Sequence, residues 1–273
     1  MGNAWARLTS AARERRLASG IQRHVRQFGL EQYLRVRLRL VQVRHSAVPS
    51  ISLHGNFSEW SESRLLKEAF DEAMNGDDGL PAFVRQLEGM SGQRYRSFIN
   101  SLIKRHPDAR YLEVGSWAGS TAMSAMYGNS VKVVCIDNWS EFGGPKKLFM
   151  NNIDLVRSPS VEFRFIESDF RKVDYNALGR FNVFLFDGPH EERDHYDGIM
   201  IARIALDRRA TVIVDDWNWP SVRVGTLRAL YDARYSIETA IEIRTTLDNS
   251  HPSVAGENSD WHNGYFLCVC AAP

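Results

Sequence analysis

Two apolar runs in this sequence end in acids. Phe181-Asn-Val-Phe-Leu-Phe-Asp187 continues into Gly-Pro-His190, and Thr211-Val-Ile-Val-Asp215 continues into Asp216 and Trp217. Such runs read as buried strands of a parallel sheet. If they are neighbours, their C-terminal tips bring three carboxylates and an imidazole to the sheet edge where open α/β folds bind ligands. Like charges at that spacing repel unless a cation sits among them. An oxygen-rich donor set suits Mg2+ or another hard divalent ion better than Zn2+. The plainer reading makes Asp187 a turn cap before Gly188-Pro189 and gives Asp215-Asp216 to the cap of the next helix. A loop histidine such as His190 also serves local hydrogen bonding. His195 competes with it, and Glu191 and Glu192 are further ligand candidates.

A second pattern concerns a nucleoside. Tyr111-Leu-Glu113-Val-Gly115-Ser116-Trp-Ala-Gly119-Ser120-Thr121 reads as a strand, a tight glycine turn and a small-residue helix start. Val133-Val-Cys-Ile-Asp137 follows as a strand with an acid at its tip. Asp137 lies 22 residues after Gly115, the spacing of a ribose-binding acid in α/β nucleoside sites. Glycine turns are common at strand–helix junctions in general. A pyrophosphate is disfavoured, because Trp117 stands where a dinucleotide fingerprint needs its central glycine, and Glu113 suits an ammonium-bearing ligand.

The E-x-G-x-x-x-G pattern resembles the first motif of class I S-adenosylmethionine-dependent methyltransferases. That resemblance implies that Gly115 and Gly119 line the cofactor, with Ser116 and Ser120 in the same turn and Glu113 near the methionine end. It implies that Asp137, with Asn138 beside it, takes the ribose hydroxyls. After Val161-Glu-Phe-Arg-Phe-Ile166, Asp169 and Phe170 hold the positions this family uses beside the adenine; the plainer reading of Asp169 is a cap. The Asp187 and Asp215-Asp216 pattern resembles the metal site of catechol-type O-methyltransferases, and more closely that of macrocin- and mycinamicin-type sugar O-methyltransferases. By that resemblance Asp187, Asp215 and Asp216 hold the ion and His190 is the general base. Met90-Ser91, one helix before the first strand, resembles the segment that folds over the methionine end in these enzymes; a plain interhelical turn is the alternative. The resemblance spans residues 89–273. Trp139 could cover the adenine and Trp217 and Trp219 could flank the metal, although large aromatics mostly serve the core.

The elements that must position these groups read as an α/β, doubly wound (Rossmann-like), seven-stranded, mostly parallel sheet with an N-terminal helical extension. Strands are expected at 110–115, 131–136, 161–166, 181–187, 211–216, 235–243 and 264–270. Helical segments separate the first five, and the last two form an antiparallel pair. Helices are expected from Ser61 to the Asn75-Gly stop and through Ile99, Leu102 and Ile103 to His106-Pro. The expected organisation is a basic arm and linker over 1–60, with the linker at 46–60, a helical cap over 61–109 and a cofactor-binding core over 110–273.

The chain has 273 residues, 44% of them hydrophobic, ample for one elaborated α/β domain. Residues 1–48 carry ten arginines against Glu14 and Glu31, a net +8, which leaves −7 for the rest of a chain whose total is +1. Residues 1–28 read as a basic amphipathic helix and 34–40 as an alternating strand. Such an arm is a solvated or dimer-forming element, or a tether to an anionic membrane surface. Cys135, Cys268 and Cys270 do not make a disulfide framework, and no apolar run reaches the length of a membrane span. A cytoplasmic protein is expected, with peripheral association at the inner membrane surface as the variant the arm would allow.

These features point to a divalent-metal-dependent O-methyltransferase using S-adenosylmethionine and Mg2+ on a hydroxyl of a sugar or other small molecule. Self-association into a homo-oligomer is the expectation the resemblance carries. An iron-dependent oxygenase would want two histidines and a carboxylate, and only His190 is well placed. Nucleic acid is disfavoured as a partner, because Asp187-Gly-Pro-His does not match the Asn/Asp-Pro-Pro-aromatic motif of base N-methyltransferases; a metal-independent methyltransferase or a nucleic-acid-directed use of the arm are the alternatives. A non-catalytic scaffold would gain nothing from clustered carboxylates.

Overall fold

The computed structural model describes residues 48–76 and 79–273. The arm and the elements expected over residues 1–47 lie outside the described residues. The strands are β1 (Ser50–Gly55), β2 (Ala109–Val114), β3 (Val131–Asp137), β4 (Val161–Glu167), β5 (Phe181–Phe186), β6 (Leu206–Asp215), β7 (Ser236–Arg244) and β8 (Tyr265–Ala271). The helices are α1 (Ser61–Asn75), α2 (Ala82–Arg85), α3 (Gln93–Arg105), α4 (Ser120–Met126), α5 (Lys146–Val156), α6 (Glu192–Ala202) and α7 (Pro220–Asp232). All eight strands form one sheet in the order β1-β7-β8-β6-β5-β2-β3-β4. Strands β2 to β6 run parallel, while β8 is antiparallel to β6 and β7, and β1 is antiparallel to β7.

The expected count of seven strands is corrected to eight among the described residues. Ser50-Ile-Ser-Leu-His-Gly55 is not part of a linker: it pairs in register with β7, Ser50 opposite Arg244 and Gly55 opposite Thr239. The helical segment expected between β4 and β5 consists of two short 3-10 turns, Phe170–Lys172 and Tyr175–Leu178.

Alternation along the strands divides the core between the two faces. Tyr111, Val133, Cys135, Val183, Leu185, Ile213 and Leu267 face a layer built by α1, α3, α4 and α5. Leu112, Val134, Ile136, Phe184, Phe186, Val212 and Val214 face the layer that contains α6 and α7. Period-two placement on a sheet covered on both sides explains why these strands are apolar throughout. Cys268 and Cys270 share the second face, and all three cysteines are buried and free.

Strand order reverses at β2 and β5. The chain winds outward from β2 through β3 and β4, then returns to place β5 on the other side of β2. Such a reversal opens a crevice at the C-terminal ends of the strands. Here the two backbones converge: the Asp187 N–H donates to the Val114 carbonyl at 2.9 Å. A Cβ on Gly115, whose φ is +86°, would lie 1.7 Å from the Asp187 carbonyl oxygen. Only glycine satisfies both the left-handed backbone and the close approach.

Gly115→Ala therefore combines backbone strain with overpacking and is expected to cost roughly 3 kcal/mol or more. Urea denaturation of the two proteins measures this, and a loss well below 1 kcal/mol would contradict the close approach.

Candidate active site at the strand tips

A cavity of about 460 Å³ lies over this crevice. Ile136, Asp137, Asn138, Ser168, Asp169 and Phe170, at the ends of β3 and β4, line one side. Asp187, His190, Asp216 and Trp219, following β5 and β6, line the other, with Met90, His251 and His262.

The glycine turn fixes Asp137 with main-chain hydrogen bonds. Ser116 N and Trp117 N both donate to Asp137 Oδ2 at 2.9 Å, and Trp139 N donates to Oδ1 at 2.8 Å. The carboxylate thus ties the tip of β3 to the turn after β2 while still lining the cavity. Gly115 lines the cavity too. Gly119 does not: a Cβ there would lie 2.9 Å from the Phe149 ring, so its role is packing at the start of α4. Ser116 and Ser120 are buried beneath the turn. Ser120 Oγ lies 2.8 Å from Ser91 Oγ, which accepts from Arg96 Nε at 2.8 Å. Met90 reaches the cavity while its neighbour Ser91 secures that segment from behind.

Glu113 is also behind the turn. It shares the face of Tyr111 and accepts a short hydrogen bond from the Tyr111 hydroxyl on Oε2. Burial pushes its carboxyl up to about 7, and the Tyr111 hydrogen bond offsets this only in part. Asn138 lines the cavity and accepts from Ser140 N at 3.1 Å. Asp169 lines the cavity, and its Oδ1 caps Arg171 N at 3.0 Å. Phe170 lines the same wall, edge-on to Phe186.

The carboxylates divide. Asp187, His190 and Asp216 can each offer a ligand atom within 4.8 Å of the others. His190 Nε2 lies 2.6 Å from Asp216 Oδ2, and Asn263 Nδ2 donates to Asp216 Oδ1 at 2.7 Å. Asp216 reaches this position through a left-handed backbone, φ +58°. Asp215 is almost completely buried and is not in the cavity wall; its Oδ1 accepts from Asp216 N at 2.6 Å. Burial pushes Asp187 and Asp215 well above the usual carboxylate range, and the charge of Asp216 raises both further. Burial opposes the charge of Asp216 as well, but the hydrogen bond and charge of His190 outweigh it and hold this carboxyl low. In return Asp216 raises His190, against the burial of the ring. The carboxylate oxygens of Asp187 and Asp216 are donors of the kind a hard divalent cation takes.

Other candidates fall away. His195 is buried in α6 with neither ring nitrogen partnered, edge-on to Phe186, and burial lowers its pKa to about 3. Glu191 caps α6 through a capping box and Glu192 faces Arg228; neither lines the cavity. Trp139 packs on Phe149 and Phe165, and Trp217 stacks on Phe266, both away from the cavity. Trp219 does line it, edge-on to His190, and so does Trp117 of the glycine turn. The sequence reading missed His251, His262 and Asn263.

No protein-family model matches this sequence, and no curated protein matches it either. Solved structures share its general build. TrmN from Thermus thermophilus is 15% identical over 66% of this chain, with a TM-score of 0.46, and this chain spans 48% of that protein's length. An O-methyltransferase from Bacillus cereus, in complex with SAH, is 14% identical over 86% of this chain and 95% of its own, at 0.45. An SAH-bound methyltransferase of Podospora anserina is 11% identical over 77% of this chain and 88% of its own, at 0.47. Likeness at this level assigns no role to any residue here.

The raised Glu113 has a consequence for stability. An acid that titrates near 7 in the fold and near 4.5 in the unfolded chain keeps its proton longer when folded. It therefore costs nothing below pH 4.5, and stability falls as pH rises from 4.5 to 7. Glu113→Gln removes this dependence. Relative to wild type, the variant is expected to gain on the order of 3 kcal/mol between those limits. Denaturant midpoints at several pH values measure the gain, and parallel curves would contradict it.

Proposed function

We propose that this chain is an S-adenosylmethionine-dependent methyltransferase that methylates a hydroxyl of a sugar or other small molecule with the help of a hard divalent cation such as Mg2+. The observation that carries the reading is the placement of the amide-clamped Asp137 and the Asp187–His190–Asp216 group on opposite sides of one cavity. A carboxylate held by main-chain donors is preorganised for ribose hydroxyls. Asp169 and Phe170 offer a polar and an apolar edge for the adenine. When bound, S-adenosylmethionine supplies a methyl carbon activated by its sulfonium. Asp187 and Asp216 would hold the cation, which would supply a lowered pKa for an acceptor hydroxyl.

The proton falls to His190. Asp216 is an acceptor, so the imidazole hydrogen sits on Nε2, 2.6 Å from Oδ2, and Nδ1 carries the free electron pair. Asp216 therefore orients the ring and stabilises the imidazolium formed when Nδ1 takes the hydroxyl proton. Trp219, edge-on to the ring, packs against it from the cavity wall.

Calorimetric titration of S-adenosylmethionine into chelator-treated protein, repeated with Mg2+, is followed by a screen of sugar and phenol acceptors for SAH release. Cofactor binding and a separate Mg2+ heat that Asp216→Asn abolishes are expected; no cofactor binding would refute the reading, and binding without a Mg2+ response would refute its metal. His190→Ala is expected to lower kcat by about 10²–10⁴-fold with cofactor affinity unchanged. An unchanged kcat would remove His190 as the base.

A further inference from the structure

Two more histidines, His251 and His262, reach the cavity wall. Their rings meet edge-on, with centroids 5.6 Å apart. His262 is held on every side. Its backbone N–H donates to Ser259 Oγ at 2.9 Å, its carbonyl accepts from Thr245 Oγ1 at 3.0 Å, and its φ is +39°. The next residue, Asn263, is the one that donates to Asp216.

The decisive contact is to the ring. The backbone N–H of Gly256 points at His262 Nδ1 from 2.8 Å. A main-chain amide can only donate, so Nδ1 must accept, and in the neutral ring the hydrogen then sits on Nε2. That Nε2 lies 3.9 Å from Asp216 Oδ1, beyond hydrogen-bond reach, and Oδ1 already accepts from Asn263. The hydrogen is therefore left for a guest in the cavity. It also prevents Nε2 from binding a cation, which separates His262 from the donor group around Asp187.

We propose that His262 is a substrate-binding residue, a fixed neutral imidazole whose Nε2–H donates to an oxygen of the acceptor molecule. The identity of the guest rests on the methyltransferase reading; the tautomer does not. Burial keeps this ring neutral, lowering its pKa to about 4. Among the groups facing it, Asp216 pulls the other way, while His251, Arg96 and His190 add to the effect of burial. A site that commits a buried donor to one oxygen selects against guests that lack it, because the donor is then left unpaired.

The test uses the full chain labelled with 15N-histidine, with SAH and Mg2+ at pH 7, and His262→Gln to assign the signals. Long-range 1H–15N spectra are expected to show a neutral His262 ring with its hydrogen on Nε2. That signal is expected to shift when methyl glucoside or catechol is added. A hydrogen on Nδ1, a doubly protonated ring, or no shift with either compound would overturn the proposal. In methyl transfer to the acceptor that the screen identifies, His262→Leu is expected to raise the acceptor KM about tenfold with SAH affinity unchanged. His262→Gln, which keeps an N–H, is expected to recover most of that loss. Equal KM values in all three proteins would also overturn the proposal. Failure of SAH to bind would refute the methyltransferase reading while leaving the tautomer measurable.

Discussion

The site depends on one close approach of main chain to main chain. Where β2 ends, Gly115 passes so near the Asp187 carbonyl that no side chain fits. This contact sets the two halves of the sheet at the distance that lets the turn amides reach Asp137 on one side. It also places the Asp187 carboxylate at the tip of β5 on the other. A larger residue would separate the strand tips, and with them the groups that face each other across the cavity.

The second organising fact is buried negative charge. Glu113 and Asp215 are buried behind the crevice, and Asp187 and Asp216 line it. Only Asp216 has a cationic partner within hydrogen-bond distance, in His190. The others are held toward their protonated forms by burial and by one another. Such an arrangement is costly in isolation and becomes favourable when a cation enters. A sulfonium or ammonium group and a divalent ion are both of the required sign.

Much of the fold was legible because β2 to β6 are buried on both faces and so appear as apolar runs with distinct ends. Strand β1 was not. Ser50, Ser52, Leu53 and His54 are largely exposed, and among the described residues the strand pairs with β7 alone, nearly two hundred residues away. At the site, Asp137, Asp187 and His190 were legible from their place at strand tips. The adjacent acids Asp215 and Asp216 looked equivalent, yet one is buried beneath the cavity floor and the other turns into the cavity through a left-handed backbone. Glu113 looked like a ligand group, but strand alternation sends it to the helical face with Tyr111. His262 and Asn263 carried no local pattern. Their roles come from contacts to Gly256 and Asp216, one made by a short loop and the other by chain remote in sequence.

The central claim is that this cavity holds S-adenosylmethionine with its ribose on Asp137 and its methyl directed at Asp187, His190 and Asp216. A crystal structure of the protein with SAH and Mn2+ tests it most directly. The account predicts adenine density beside Asp169 and Phe170, ribose hydroxyls on the Asp137 carboxylate and an anomalous peak between Asp187 and Asp216. SAH bound elsewhere, or a cavity that stays empty at saturating SAH, would contradict it.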